Sequence, residues 1–268
     1  MTPRLRILAV LSGIACTVAT VLAAVTPVLV PTFYEGPGAF GSQWRTTVVV
    51  NNLSDSQLSG NGVMFRTVCS IPEGCSTPQV EPGQFGSIES PQAPNGILLY
   101  PTAEQAEKVA FSAHFASFPR QAFTGGSELP IVREKDFRPE LLTLPYVTFG
   151  TGGTSFVRSR LRIYTLDGQS SVSVRVELRP WFFPTTPPTF TKIVRLTPAT
   201  GGTPNAPLFP AFAQVDLQLE FSGAVLQAGA WNISLVPLPI ASGDVPRIWA
   251  FVTVTDNATQ DVTVHRPQ

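Results

Sequence analysis

Ser171-Val172-Ser173-Val174-Arg175-Val176-Glu177-Leu178-Arg179 alternates polar and apolar side chains without a break, and this alternation decides the fold class. Successive side chains of a strand point to opposite faces, so the three valines and Leu178 line one face of a sheet and the serines, arginines and Glu177 the other. Val215, Leu217, Leu219 and Phe221 alternate in the same way with Gln214, Asp216, Gln218 and Glu220, which predicts a second strand. Further strands are predicted over 46–51, 63–68, 109–117, 161–164, 192–196, 231–236 and 248–255. The last is apolar on both faces and is expected at the centre of its sheet. The 26 prolines are spread along the chain and leave few windows for a helix. One helical turn is expected over 102–108, where Thr102 and Gln105 have the spacing of a capping box. The chain therefore reads as all-β, with antiparallel strands and turns forming β-sandwiches.

The chain also reads as a tandem repeat. A shift of 113 positions places Arg45 on Arg158, Val48 on Leu161, Val50 on Ile163, Leu53 on Leu166, Val63 on Val176, Phe65 on Leu178 and Arg66 on Arg179 without a gap. An apolar strand follows late in each half, at 109–117 and 248–255. Two similar sandwiches are expected, over 31–144 and 145–268, with a linker near 141–153 marked by Pro145 and Gly150-Thr151-Gly152-Gly153.

Arg4 and Arg6 precede an uncharged, mostly apolar run over 7–25, which reads as an export signal. A signal peptide over 1–24 is expected, with cleavage beside Ala23 or Ala24. The competing fates are an uncleaved anchor, through which the N-terminal segment would hold the protein to the membrane, and, least favoured, lipid attachment at Cys16. Cys69 and Cys75 then remain as a pair across a turn containing Pro72 and Gly74, and an oxidising compartment would join them in a disulfide. The expected location is secreted, periplasmic or at the cell surface. Charged residues make up only 13% and the formal net charge is zero, which excludes nonspecific nucleic-acid binding.

Gly36-Pro37-Gly38-Ala39-Phe40-Gly41-Ser42-Gln43-Trp44-Arg45-Thr46, the strand end Asn51-Asn52, and Thr255-Asp256-Asn257-Ala258-Thr259-Gln260-Asp261 resemble exported bacterial proteins of tandem β-sandwich type. The resemblance implies immunoglobulin-like sandwiches and an extracytoplasmic location. It brings no catalytic residue with it, and the Pro-rich stretch 181–188 departs from the pattern.

Candidate chemistry is sparse. His114 lies mid-strand among phenylalanines, His265 is the fourth residue from the end, and no G-x-S-x-G elbow occurs. Glu104, Glu107, Glu128, Glu134, Asp136 and Glu140 could supply a carboxylate pair but read as solvated loop charges. Asp256, Asn257 and Asp261 miss the spacing of a calcium loop. No catalytic residue, metal or cofactor is assigned. Two sets of candidate binding residues remain. Arg158, Arg160 and Arg162 alternate along one strand and share a face, where they could grip an anionic polysaccharide or join cross-strand ion pairing on a sheet face whose other strands carry Arg175, Glu177 and Arg179, and Asp216 and Glu220. Trp181, Phe182 and Phe183 form a bulky group beside Pro184, as do Phe209 and Phe212 in another Pro-flanked stretch, and such groups stack on sugars or plug a sandwich. The expected function is that of an exported, non-catalytic structural or interaction protein whose partner is a protein or polysaccharide at the cell exterior. The alternatives are a carbohydrate-binding module and an extracellular hydrolase.

Overall fold

The computed structural model describes residues 26–38, 41–59, 64–67, 79–89, 93–118, 126–149, 157–167, 171–182, 187–221, 229–257 and 261–268. The expected signal peptide 1–24, Cys16, the pair Cys69 and Cys75, Phe183 and the glycine run 150–153 lie outside the described residues. The fold is all-β, with antiparallel sheets and two short α-helices among the described residues. No helix of the described residues is long and apolar enough to cross a membrane.

Two four-stranded sheets build the carboxy-terminal half. Leu142–Phe149, Gly229–Pro237, Ser173–Pro180 and Phe190–Arg195 lie in that order in one sheet. Ala211–Asp216, Val157–Thr165, Ile248–Asp256 and Val262–His265 form the other. Val174, Val176 and Leu178 meet Leu161, Ile163, Ala250 and Val252 in one fully buried core, as the alternation requires. Ile248–Asp256 is an inner strand whose first seven residues are all buried, in line with its two apolar faces.

Two expectations fail in this half. The alternation over 214–221 does not continue as a strand. The strand ends at Asp216, whose carboxylate accepts a hydrogen bond from Leu219 N at 3.2 Å and caps the short helix Leu217–Glu220. Leu217 and Phe221, four residues apart, are then buried on one helix face while Leu219 is 74% exposed. The stretch 141–153 is also not simply a linker, because Leu142–Phe149 is a strand. Pro145 is tolerated there because this strand lies at a sheet edge and its register shifts between Leu144 and Val147.

In the amino-terminal half, Ser127–Leu129, Val109–Phe118, Gln43–Asn52 and Phe85–Glu89 lie side by side, with Met64–Thr67 beyond them. The order of the first four matches that of Val262–His265, Ile248–Asp256, Val157–Thr165 and Ala211–Asp216. The 113-residue shift superposes Gln43–Asn52 on Val157–Thr165, but Met64–Thr67, which it places on 177–180, lies in the sheet of Gln43–Asn52, whereas Ser173–Pro180 lies in the sheet opposite Val157–Thr165. Val28–Val30 pairs with Ile97–Leu99 as Leu142–Phe149 pairs with Gly229–Pro237. The expected helical turn forms as Ala103–Lys108, with Thr102 and Gln105 capping each other reciprocally.

The two halves share apolar surface. Tyr164, Trp249 and Phe251 point away from the carboxy-terminal core and join Val28, Val30, Val48, Val50, Ile97 and Leu129 in the other. Their rings form one group: Tyr164 stacks on Phe251 at 6.3 Å and 9°, and Trp249 lies 5.4 Å from Phe251. The Tyr164 hydroxyl donates to the Pro31 carbonyl, and its burial raises its pKa above the ordinary tyrosine value. Arg138 and Ile248 exchange backbone hydrogen bonds at 2.9 Å, Tyr100 donates to the Pro207 carbonyl at 2.8 Å, and Arg247 meets Glu134 at 3.0 Å. The Tyr164 end of Val157–Thr165 and the Ile248–Phe251 part of the neighbouring strand are thus covered on both faces.

On the outer face of the other carboxy-terminal sheet, Glu177 accepts from Arg175 and Arg179 at 2.8 Å each, and Arg179 also reaches Ser234 Oγ at 3.2 Å. Burial of Glu177 would raise its pKa, but the two arginine hydrogen bonds outweigh it and hold the carboxyl below the ordinary value. A lowered folded pKa contributes stability that is present above the unfolded pKa of about 4.3 and is lost as pH falls through the folded value. Glu177→Gln should therefore cost about 1–3 kcal/mol at neutral pH and lose much of that deficit in acid. Urea unfolding at neutral and acidic pH checks this; parallel pH profiles for the two proteins would contradict it.

Candidate functional site

Alternation along Val157–Thr165 sends Leu161 and Ile163 into the carboxy-terminal core and puts Arg158, Arg160, Arg162 and Tyr164 on the opposite face. That face turns toward the amino-terminal half. Its Tyr164 end is closed by the aromatic group, and its arginine end opens into a cleft of about 400 Å³ lined by all three arginines. Neighbours on the same face, Gln214, Thr253 and Thr255, come from the two flanking strands.

Trp44 and Phe115 form the facing wall, with Tyr34 beside them. Trp44 alternates with Thr46, Val48 and Val50 on the inner face of Gln43–Asn52, and Phe115 lies diagonally across from it on Val109–Phe118. The two rings stack in parallel at 4.7 Å and 8°. The indole Nε1 donates to Ser42 Oγ at 2.8 Å, which fixes the ring. Position 38 must be glycine for this arrangement, because a Cβ there would lie 2.2 Å from the Trp44 Nε1 and 2.4 Å from Ser42 Oγ.

The arginines are unequally satisfied. Arg158 Nε donates to Asn257 Oδ1 at 2.5 Å, and Arg160 Nε lies 3.9 Å from Asp216 Oδ2 in the adjacent strand. Arg162 is the deepest. Its Nη1 reaches Thr253 Oγ1 at 3.5 Å, its guanidinium carbon lies 5.7 Å from the centre of the Phe251 ring, and its Nε is sealed from solvent without a hydrogen-bond partner. Among the described residues no carboxylate forms an ion pair with it. Burial, with the charge of Arg160 adding to it, lowers the Arg162 pKa, and Tyr164 opposes the shift. Burial and Arg160 also lower the pKa of Arg158, against Asp216. The three arginines are rooted about 7 Å apart along one strand face and line one cleft, which concentrates positive charge there.

Of the expected cross-strand pairs, Arg160 with Asp216 forms, at 3.9 Å. Arg175, Glu177 and Arg179 lie on the other sheet and satisfy one another, while Glu220, carried on the short helix, pairs with Lys192. Trp181 and Phe182 are also remote from the cleft. They follow the Ser173–Pro180 strand, with Phe182 77% exposed and Trp181 meeting Tyr146 edge-on at 5.3 Å and 88°. Tyr146, with φ of 57°, sits at the irregularity of the Leu142–Phe149 strand. Phe209 and Phe212 pack against the amino-terminal core instead of standing free. His114 is exposed opposite Glu128, and His265, whose pKa is lowered by burial and held up by the Pro145 carbonyl, lies at the end of an edge strand. Asn257 serves the cleft by holding Arg158, and Asp256 N donates to the Asp261 carbonyl at 2.9 Å across their loop.

Sequence reasoning placed the three arginines on one face but missed Trp44, Tyr34 and Phe115 as their opposite wall. Only the buried alternation of Trp44 hinted that it faces inward. No family model, curated protein or solved structure matches this chain.

Proposed function

We propose that the protein is an exported, non-catalytic interaction protein of the cell exterior, built from two tandem immunoglobulin-like sandwiches, that receives an anionic ligand in the cleft between its halves. One observation carries the reading: three guanidiniums line one cleft, and the deepest of them, Arg162, has its Nε sealed from solvent without a hydrogen-bond partner. Arginine is suited to this role because its planar fork matches carboxylate, sulfate and phosphate oxygens in pairs. Removing charge from water without a counter-charge costs stability, and an acidic ligand would offset that cost. The matched strand orders of the two halves support the tandem layout, and the basic tip ahead of an apolar run supports export.

A ligand that binds only the folded state raises its apparent stability by mass action. Citrate, sulfate or phosphate at constant ionic strength should therefore raise the melting temperature of the wild type and leave a variant carrying Arg158→Ser, Arg160→Ser and Arg162→Ser unmoved. Equal shifts in the two proteins would overturn the reading. A second reading, a carbohydrate-binding surface at Tyr146, Trp181 and Phe182, is favoured by the exposure of that aromatic edge. Retention on a neutral polysaccharide that disappears with Trp181→Ala and survives the triple arginine change would select it.

A further inference from the structure

We propose that the cleft is a receptor for the acidic end of a saccharide, with a sugar carboxylate on Arg162 at its floor and the ring lying against the wall made by Trp44, Phe115 and Tyr34. The proposal rests on reading the cleft as an anion site and names what the anion is.

Depth supplies the first argument. Going outward along the strand, the partnerless Nε belongs to Arg162, while Arg160 has Asp216 and Arg158 has Asn257. The strongest unmet demand for a counter-charge is therefore at the bottom of the cleft, where the end of a ligand arrives. A polymer crossing the mouth would meet the two arginines that already have partners. Size agrees: about 400 Å³ lies at the small end of the range for small-molecule sites and holds a terminal unit better than a run of polymer.

Wall chemistry supplies the second argument. Gln214, Thr253, Thr255 and Asn95 present amide and hydroxyl groups, and Trp44, Phe115 and Pro94 present apolar surface on the other side. A ring with hydroxyls on its rim and C–H groups on its face uses both kinds of surface, whereas a bare inorganic anion uses neither. The Trp44 indole is already stacked and hydrogen-bonded, so the wall is formed before the ligand arrives.

Calorimetry on the full chain with D-galacturonic acid, D-galactose, acetate, sulfate and acetyl-diglycine at matched ionic strength tests this. Galacturonic acid should bind at least about tenfold more tightly than galactose, acetate or sulfate, the factor set by one good charge-assisted contact together with the ring contacts. Arg162→Gln should lose at least about tenfold in that affinity, and Arg158→Gln less than about threefold, because Arg158 is only half-buried and already partnered by Asn257. Arg162→Lys, which keeps the charge and loses the fork, should fall between them. Circular dichroism and melting confirm that each variant is folded. Sulfate matching galacturonic acid, acetyl-diglycine binding as tightly, or equal losses for the Arg158 and Arg162 variants would each overturn the saccharide end while sparing the anion site. Failure of every acidic probe to bind would overturn both.

Discussion

Phe251→Ala should destabilise the protein by about 3–5 kcal/mol and should lower the unfolding of both halves together. Phe251 is fully buried, lies on the inner Ile248–Asp256 strand and stacks with Tyr164, yet its ring belongs to the core built mainly from residues 28–137. Truncating it opens a cavity in that core and removes the ring on which Arg162 rests. It also loosens the face that joins the halves, beside the Tyr164 bond to Pro31 and the Arg138–Ile248 exchange. Two-state unfolding makes coincident transitions the signature of one cooperative unit. Tryptophan fluorescence, which reports Trp44 in one half, Trp181 and Trp231 in the other and Trp249 in the aromatic group they share, should therefore shift to lower denaturant together with far-UV circular dichroism. Two separated transitions, one of them unmoved by the substitution, would show that the shared aromatic group does not couple the halves.

Arg162→Met should act in the opposite sense, raising stability by about 1 kcal/mol while abolishing anion-dependent stabilisation. A structural arginine of this depth would be held by carboxylates, and its removal would leave them unpaired at a cost. Arg162 instead has one long contact to a threonine hydroxyl, a ring beneath it and a sealed Nε. Methionine keeps the packed stem over Phe251 and removes a charge that the fold does not balance. Chemical denaturation without added anion, followed by melting with and without citrate, measures both effects. A clear loss of stability without ligand would assign Arg162 to the scaffold and remove the main support for the cleft.

Much of the architecture was legible in the alternation alone. Val174, Val176 and Leu178 go inward and Arg175, Glu177 and Arg179 outward, as period two demands. The inner position of Ile248–Asp256 followed from its two apolar faces, and the turn at Ala103–Lys108 from its capping residues. The alternation misled at Leu217–Glu220, where one local hydrogen bond from Leu219 N to the Asp216 carboxylate converts strand to helix. Apolar residues at 217 and 221 fit either geometry, being even-spaced along a strand and one turn apart on a helix, so periodicity could not separate them. Short strands such as Val28–Val30 and Ile97–Leu99 carry too few residues to show any period.

By itself the sequence determined an all-β chain and placed Arg158, Arg160 and Arg162 on one face of one strand, because side-chain direction along a strand is a local property of the backbone. What that face looks at was decided only in the tertiary structure. Long-range pairing folded the amino-terminal half against it, joined Tyr164 and Phe251 to a distant core, and set Trp44 and Phe115 opposite the guanidiniums. Contacts between residues a hundred positions apart arise from the packing of whole sheets, and no local periodicity encodes them.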